Sequence, residues 1–145
     1  MYYIGIDPGK EGALAIMRED EVIFTSVFDE ICYRDALMRI LGFEAKCCVE
    51  KVASMPKQGV ASTFSFGKNA GFIEGLLVAY SIPYQLVPPQ TWKKEFGLNS
   101  DKQKSIAVCK RLFPGRDLRK TDKCKKDHDG TAEAILMALY AKRRL

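Results

Sequence analysis

Short apolar runs separated by turns dominate the first part of the chain. Apolar residues are concentrated at 2–7, 12–17 and 21–27, and Gly, Pro, Asp and Glu lie between these runs. The runs predict three β-strands, and their short connections predict an antiparallel meander. Two further strand-like runs lie at 45–50 and 84–87.

Apolar positions elsewhere recur at helical spacing. The pattern predicts helices at 33–41, 63–80, 101–113 and 129–142, with loops at 51–62 and 115–127. Three strands followed by alternating helices and strands indicate an α/β fold. We expect one domain over residues 1–145, built on a mixed five-stranded sheet of an antiparallel meander plus parallel strands, flanked by helices.

The composition is typical of a soluble globular protein, with 47% hydrophobic and 28% charged residues. No apolar run reaches transmembrane length, and the start lacks the pattern of a signal peptide. The five cysteines form no C-x-x-C pair and there is one histidine, which favours packing thiols in a reducing cytoplasm over a zinc site.

The charges are unevenly distributed. Residues 1–50 contain five Lys or Arg and ten Asp or Glu, whereas residues 93–126 contain twelve and four. This concentration favours a basic surface that binds a polyanion over a merely solvated lysine-rich face.

Four acidic residues are the candidate metal ligands. Asp7 and Glu50 each end an apolar strand, and Asp129 and Glu133 lie four apart at the start of the last helix, on one face. Carboxylate oxygens suit hard cations such as Mg²⁺, and a pair of such ions can bind both sides of a phosphodiester. For Asp7 alone, a turn-forming Asp-Pro-Gly sequence is the alternative.

Four motifs surround these acids along the chain: I-G-I-D-P-G at 4–9, V-E-K at 49–51, P-Q-T-W-K-K at 89–94 with D-K-Q-K-S at 101–105, and D-H-D-G-T-A-E-A-I-L-M-A-L-Y at 127–140. In this order they resemble the motifs of a known family, the RuvC-type Holliday junction resolvases of the ribonuclease H-like superfamily, most closely the short phage and prophage forms.

The resemblance implies a structure-specific DNA endonuclease that resolves four-way junctions as a homodimer. It implies that Asp7, Glu50, Asp129 and Glu133 hold two Mg²⁺ ions per active site, with Mn²⁺ as a substitute. One ion would activate a water and the other would stabilise the departing 3′ oxygen. The expected location is the cytoplasm of a bacterial or phage-infected cell, with no membrane partner.

The last motif departs from the family at one position. Cellular members usually place the last two ligands three residues apart, but Gly130 stands three before Glu133. Asp129, four before, or His128, five before, must then supply the ligand. Helical facing favours Asp129.

Basic residues near these motifs are the candidate DNA contacts. Lys93 and Lys104 match basic positions of the family, so we expect Lys104 to act near the scissile phosphate. DNA binding is expected from Lys93, Lys94 and Lys102. Trp92 beside them is a core residue or a stacking platform, and the core is favoured.

The loop after Glu50 is the candidate DNA-reading element. Basic residues surround its apolar tip: Lys51, Lys57 and Lys68. Met55 is expected to act as an apolar wedge at the junction, with Phe64 or Phe66 as alternatives. A plain surface loop is the other interpretation.

Glycines recur every four residues in the second long helix, at positions 67, 71 and 75. Glycine inside a helix is unfavourable, so their spacing predicts the close approach of another helix. That helix is the last one of the same chain or its equivalent in a second subunit.

Three other functions compete with junction resolution. A ribonuclease H would cut the RNA of a hybrid with the same carboxylates. A catalytically silent DNA-binding module would keep the fold alone. A debranching nuclease would accept branched and flap DNA more broadly.

Overall fold

A mixed five-stranded sheet organises the computed structural model, which describes residues 1–53 and 57–145. Its strands are β1 (Tyr2–Asp7), β2 (Ala13–Arg18), β3 (Glu21–Val27), β4 (Ala45–Glu50) and β5 (Tyr84–Val87). The strand order is β3-β2-β1-β4-β5. The first three strands are antiparallel, and β4 and β5 continue the sheet in parallel with β1. The predicted sheet is therefore confirmed.

Helices connect and cover these strands. They are α1 (Glu30–Met38), α2 (Val60–Ala79), α3 (Pro89–Glu95), α4 (Lys102–Leu112) and α5 (Asp129–Arg144). None of the helices in the described ranges has the length and hydropathy that a bilayer span requires.

Two helices begin earlier than predicted, and one was not predicted. The first starts at residue 30 instead of 33, because the Asp29 carboxylate accepts from the Cys32 N–H at 2.8 Å and caps it. The second starts at residue 60 instead of 63. Helix α3 has only seven residues and opens with Pro89 at its first turn, where a missing N–H does no harm.

The two faces of the sheet carry separate cores. Cys47 packs with α1 and α2 residues, whereas Cys48 packs with α3, α4 and α5. The two neighbouring cysteines therefore point to opposite faces of the sheet, as alternation along a strand requires.

Helix α5 lies directly on β1, and Gly5 makes this possible. A Cβ at Gly5 would stand 2.0 Å from the Ala134 carbonyl oxygen and 2.3 Å from the Ala138 nitrogen. Any side chain there would push the helix away from the strand. The close packing brings the start of α5 to the end of β1, where Asp7 lies.

The glycine stripe of α2, Gly67, Gly71 and Gly75, lies in open space with respect to the other described helices. A Cβ at position 67, 71 or 75 would meet no atom within 4 Å among the described residues. Of the two alternatives for the covering helix, α5 of the same chain is therefore excluded, and the equivalent helix of a second subunit stays a prediction. Large side chains on the same face are exposed as well: Val60 by 89%, Phe64 by 72% and Val78 by 66%.

Candidate active site

The sheet register places Asp7 beside Glu50. Ile6 pairs with Val49 in the parallel β1–β4 ladder, so the next residue of each strand ends it at the same edge. Gly5 and Cys48 lie two residues earlier and face α5. Because strand side chains alternate, both acids point to the α5 side as well.

Glu133 reaches these two acids from α5. Its side chain is buried and forms a hydrogen bond with the Asp7 carboxyl group. Burial first, and then the charges of Glu50 and Glu133, hold the pKa of Asp7 well above its usual range. Three of the four predicted ligands thus converge.

Two lysines meet the acidic cluster. The Lys93 Nζ lies 3.8 Å from the Glu133 Oε1, and the Lys102 Nζ lies 3.1 Å from the Asp129 Oδ2. The hydrogen bond and charge of Asp129 raise the pKa of Lys102, and Glu133 and Asp7 raise it further. Asp129 is therefore joined to the cluster through Lys102. We had expected these lysines to bind DNA, and the structure places them beside the acids.

His128 serves as the cap of α5. The Thr131 N–H donates to its Nδ1 at 3.2 Å, and the ring is buried. The same Nδ1 also lies 2.9 Å from the Thr131 hydroxyl oxygen, so the capping contacts with Thr131 occupy this nitrogen. The geometry favours Asp129 over His128 as the fourth ligand.

Gly130 stands three residues before Glu133, and the packing explains the glycine. A Cβ there would lie 2.5 Å from the Glu11 carbonyl oxygen and 2.8 Å from the His128 Cε1. A ligand side chain at this position would require a backbone shift. Asp129 is the nearest acid on the face of Glu133.

Most of the other predicted DNA contacts are exposed at the surface. Lys104 is exposed on α4, and no carboxylate in the described ranges forms an ion pair with it. Four more lysines are exposed at the surface: Lys51, Lys57, Lys68 and Lys94. Met55 lies outside the described residues. Of its alternatives, Phe64 is exposed, whereas the Phe66 ring lies against Gly9.

Two polar contacts of the acids were not predicted. The Trp92 indole N–H donates to the Glu50 Oε2 at 2.9 Å, and the Ser105 hydroxyl donates to the Glu133 Oε1 at 3.3 Å. Trp92 is fully buried, as predicted, but its N–H belongs to the site. Both residues lie inside the motifs at 89–94 and 101–105, which was the only signal in the sequence.

Solved structures similar to this chain are RuvC proteins. Thermus thermophilus RuvC in complex with a Holliday junction substrate matches with a TM-score of 0.66 and 16% identity, over 96% of this chain and 91% of that one. A second structure of Thermus thermophilus RuvC matches with a TM-score of 0.58 and 15% identity, over 98% and 96%. The chain has the RuvC fold. Neither a protein-family model nor a curated protein sequence matches it.

The acids of this RuvC fold suit a hard divalent cation. No three Asp, Glu, His or Cys side chains of residues 1–53 and 57–145 already stand in the geometry of a metal site. The donors are nevertheless all carboxylate oxygens, which Mg²⁺ prefers. Burial, followed by the charges of Glu50 and Glu133, raises the pKa of Asp7, and a bound cation would favour its charged form. The residues therefore fit such an ion by their chemistry.

Variants of the terminal acids test the fourth position. We expect Asp129→Asn to impair cleavage as severely as Glu133→Gln, because each removes a charged oxygen ligand. His128→Asn should stay within about tenfold of wild type, since Asn is also a good helix cap. Cleavage rates of a four-way junction at saturating Mg²⁺ decide this. A severe His128→Asn defect with a mild Asp129→Asn defect would reverse the assignment.

Proposed function

We propose that this protein is a divalent-cation-dependent endonuclease that cuts four-way DNA junctions. The observation that carries the proposal is the cluster of Asp7, Glu50 and Glu133 on a RuvC fold, with two lysines at its rim. A four-way junction is the substrate assigned because the similar Thermus protein was solved with a Holliday junction substrate.

In such a site the acids and the lysines would have different roles. Asp7, Glu50, Glu133 and Asp129 would hold the cations, with Asp7 between the other acids. Bound cations would activate water and stabilise the charge that develops on the phosphate. Lys93 and Lys102 neutralise the acids in the absence of DNA, and their ammonium groups can turn to the incoming phosphate.

A metal-dependence assay tests this function. We expect wild-type protein to cut a synthetic four-way junction when Mg²⁺ is added, and to stop when the ion is chelated. Asp7→Asn should bind the same junction without cutting it. Equal cutting with and without divalent cation would contradict the proposal.

The basic segment predicts a second property, which is salt-sensitive binding. Lys94 and Lys104 are exposed, and both lie in the stretch 93–126, where Lys and Arg outnumber acids twelve to four. Lysines that bind phosphates release counterions from DNA.

Junction affinity should therefore fall steeply with salt, by roughly 10³-fold between about 50 and 200 mM if about six phosphates are contacted. Fluorescence anisotropy with a chelator present measures this without cleavage. Lys94→Gln should lower the slope by about one, whereas Lys46→Gln, at the other end of β4 from Glu50, should leave this slope of log affinity against log salt concentration unchanged. An affinity independent of salt would contradict the basic surface.

A second copy of this chain is the proposed partner of α2. The exposed face of this helix repeats at spacings of three and four residues: Val60, Phe64, Gly67, Gly71, Gly75 and Val78. Small residues allow two helices to approach closely. A two-fold dimer would supply two active sites for the two strands that must be cut.

A further inference from the structure

Trp92 makes a contact that a core tryptophan does not need. It is the single tryptophan of the chain, and none of its surface is exposed. A buried indole N–H requires one acceptor, and a backbone carbonyl would be sufficient. Here the acceptor is the Oε2 of Glu50, at 2.9 Å. The core residue is thus joined directly to a candidate metal ligand.

The local fold fixes the indole in this position. Val87 pairs with Glu50 in the β4–β5 ladder, and the Lys51 N–H donates to the Val87 carbonyl at 2.8 Å. Helix α3 starts two residues after Val87, with Pro89. The ring then packs among buried residues of α4 and α5, so neither its backbone nor its side chain can move freely.

The donor is neutral, which distinguishes it from the neighbouring lysine. The Lys93 Nζ approaches the Glu133 Oε1 and carries a charge that competes with a cation. The indole N–H orients Glu50 without supplying a counter-charge. It occupies one carboxylate oxygen and leaves the other for a ligand. Ser105 makes the equivalent neutral contact with Glu133.

We propose that Trp92 is a positioning residue that holds Glu50 for a divalent cation. This inference rests on the proposed function, because it assumes that Glu50 is a ligand. Partners that orient metal ligands typically contribute about 10- to 100-fold to metal affinity. The single indole N–H also makes Trp92 a built-in reporter of the site.

The first test follows that reporter by NMR. In ¹⁵N-labelled wild-type protein, the indole resonance should shift saturably with Mg²⁺ and broaden with Mn²⁺. In Glu50→Gln the amide oxygen still accepts the hydrogen bond, but the Mg²⁺ shift should be lost. The inference would be overturned if Mg²⁺ shifts the backbone amide resonances near Asp7 in the wild type but leaves the Trp92 indole resonance unchanged.

The second test removes only the donor. Trp92→Phe keeps an aromatic ring, and the Mg²⁺ concentration for half-maximal cleavage should rise about 10- to 100-fold. The rate at saturating Mg²⁺ and the metal-free junction affinity should change little. Tyr84→Phe is the matched control, since it deletes a hydrogen bond of 2.9 Å to the Glu74 carboxylate away from the site.

The outcomes separate this inference from the proposed function. A Trp92→Phe protein with the Mg²⁺ requirement of wild type and Tyr84→Phe overturns the role of Trp92 alone. Wild-type protein without any saturable Mg²⁺ response overturns the metal site and the role of Trp92 together. If Trp92→Phe does not fold, the indole resonance of wild type and Glu50→Gln still decides.

Discussion

Asp7→Asn should abolish cleavage and, in the absence of metal, stabilise the protein. Loss of a ligand that stabilises transition-state charge by several kcal/mol lowers the rate by about 10³-fold or more. The stability gain follows from the pKa of Asp7, which burial and the neighbouring acids raise well above its usual range. Asn has nearly the same shape and no charge, so it avoids this repulsion.

The sign of the stability effect depends on pH. The folded state holds the Asp7 proton more tightly than the unfolded state, so stability falls as pH rises from the ordinary pKa of Asp to the raised one. Above that range the wild type pays the full free-energy cost of a buried, charged Asp7 beside two other acids. The Asp7→Asn variant has no charge there and avoids this cost. Near neutral pH and without metal, the variant should therefore melt at a higher temperature.

Melting curves with and without Mg²⁺ check this account. Mg²⁺ should raise the melting temperature of the wild type and have little effect on Asp7→Asn, because only the wild type binds it tightly. Glu50→Gln should also lose cleavage. Retained cleavage in either purified variant would contradict the proposal that these carboxylates bind the catalytic cations. An Asp7→Asn protein less stable than metal-free wild type would contradict the claim that the charge of Asp7 destabilises the fold.

Gly71→Leu should convert a dimer into monomers without damage to the fold. A side chain at this position meets no described atom of the same chain, so the helix itself can accept leucine. In a two-fold α2 interface the same residue would overpack a contact at a cost of about 1–3 kcal/mol, which weakens dimerisation by about 5- to 150-fold. Gly71→Ala is the control, since alanine is small and favours helix.

Sedimentation and a cruciform plasmid measure the consequence. The wild type and Gly71→Ala should sediment as dimers and make paired cuts that linearise the plasmid. Gly71→Leu should sediment as a monomer and make single nicks that only relax it. A monomeric wild type, or a dimeric Gly71→Leu protein, would show that this face is not the interface.

The placement of Asp7 and Glu50 at strand ends could be predicted from the sequence, because runs of apolar residues show where strands end. The apolar runs around Asp7 and Glu50 predicted two strands that end in carboxylates, and the parallel ladder brings these ends together. The spacing of Asp129 and Glu133 predicted a shared face of α5, and both meet lysines there.

The supporting contacts could not be predicted, because they depend on how elements pack. The contact between Trp92 and Glu50 requires α3, which is too short and too rich in proline for a periodic signal. Glycine is required at position 5 because α5 packs directly against it, and at position 130 because the Glu11 carbonyl oxygen lies close to it. Neither contact can be read from the sequence. The role of His128 as a cap depends on the local turn of the backbone, which one histidine in a sequence does not reveal.

The most direct measurement compares substrates that share the same arm sequences. A labelled four-way junction, a three-way junction, a flap, a linear duplex and an RNA–DNA hybrid are incubated with wild-type protein and Mg²⁺, with Asp7→Asn as the blank. We predict rapid paired cutting of the four-way junction and little cutting of the duplex or hybrid. If the flap and the three-way junction are cut as fast as the four-way junction, the protein is a debranching nuclease. Faster cutting of the RNA–DNA hybrid than of the four-way junction would contradict the proposed function.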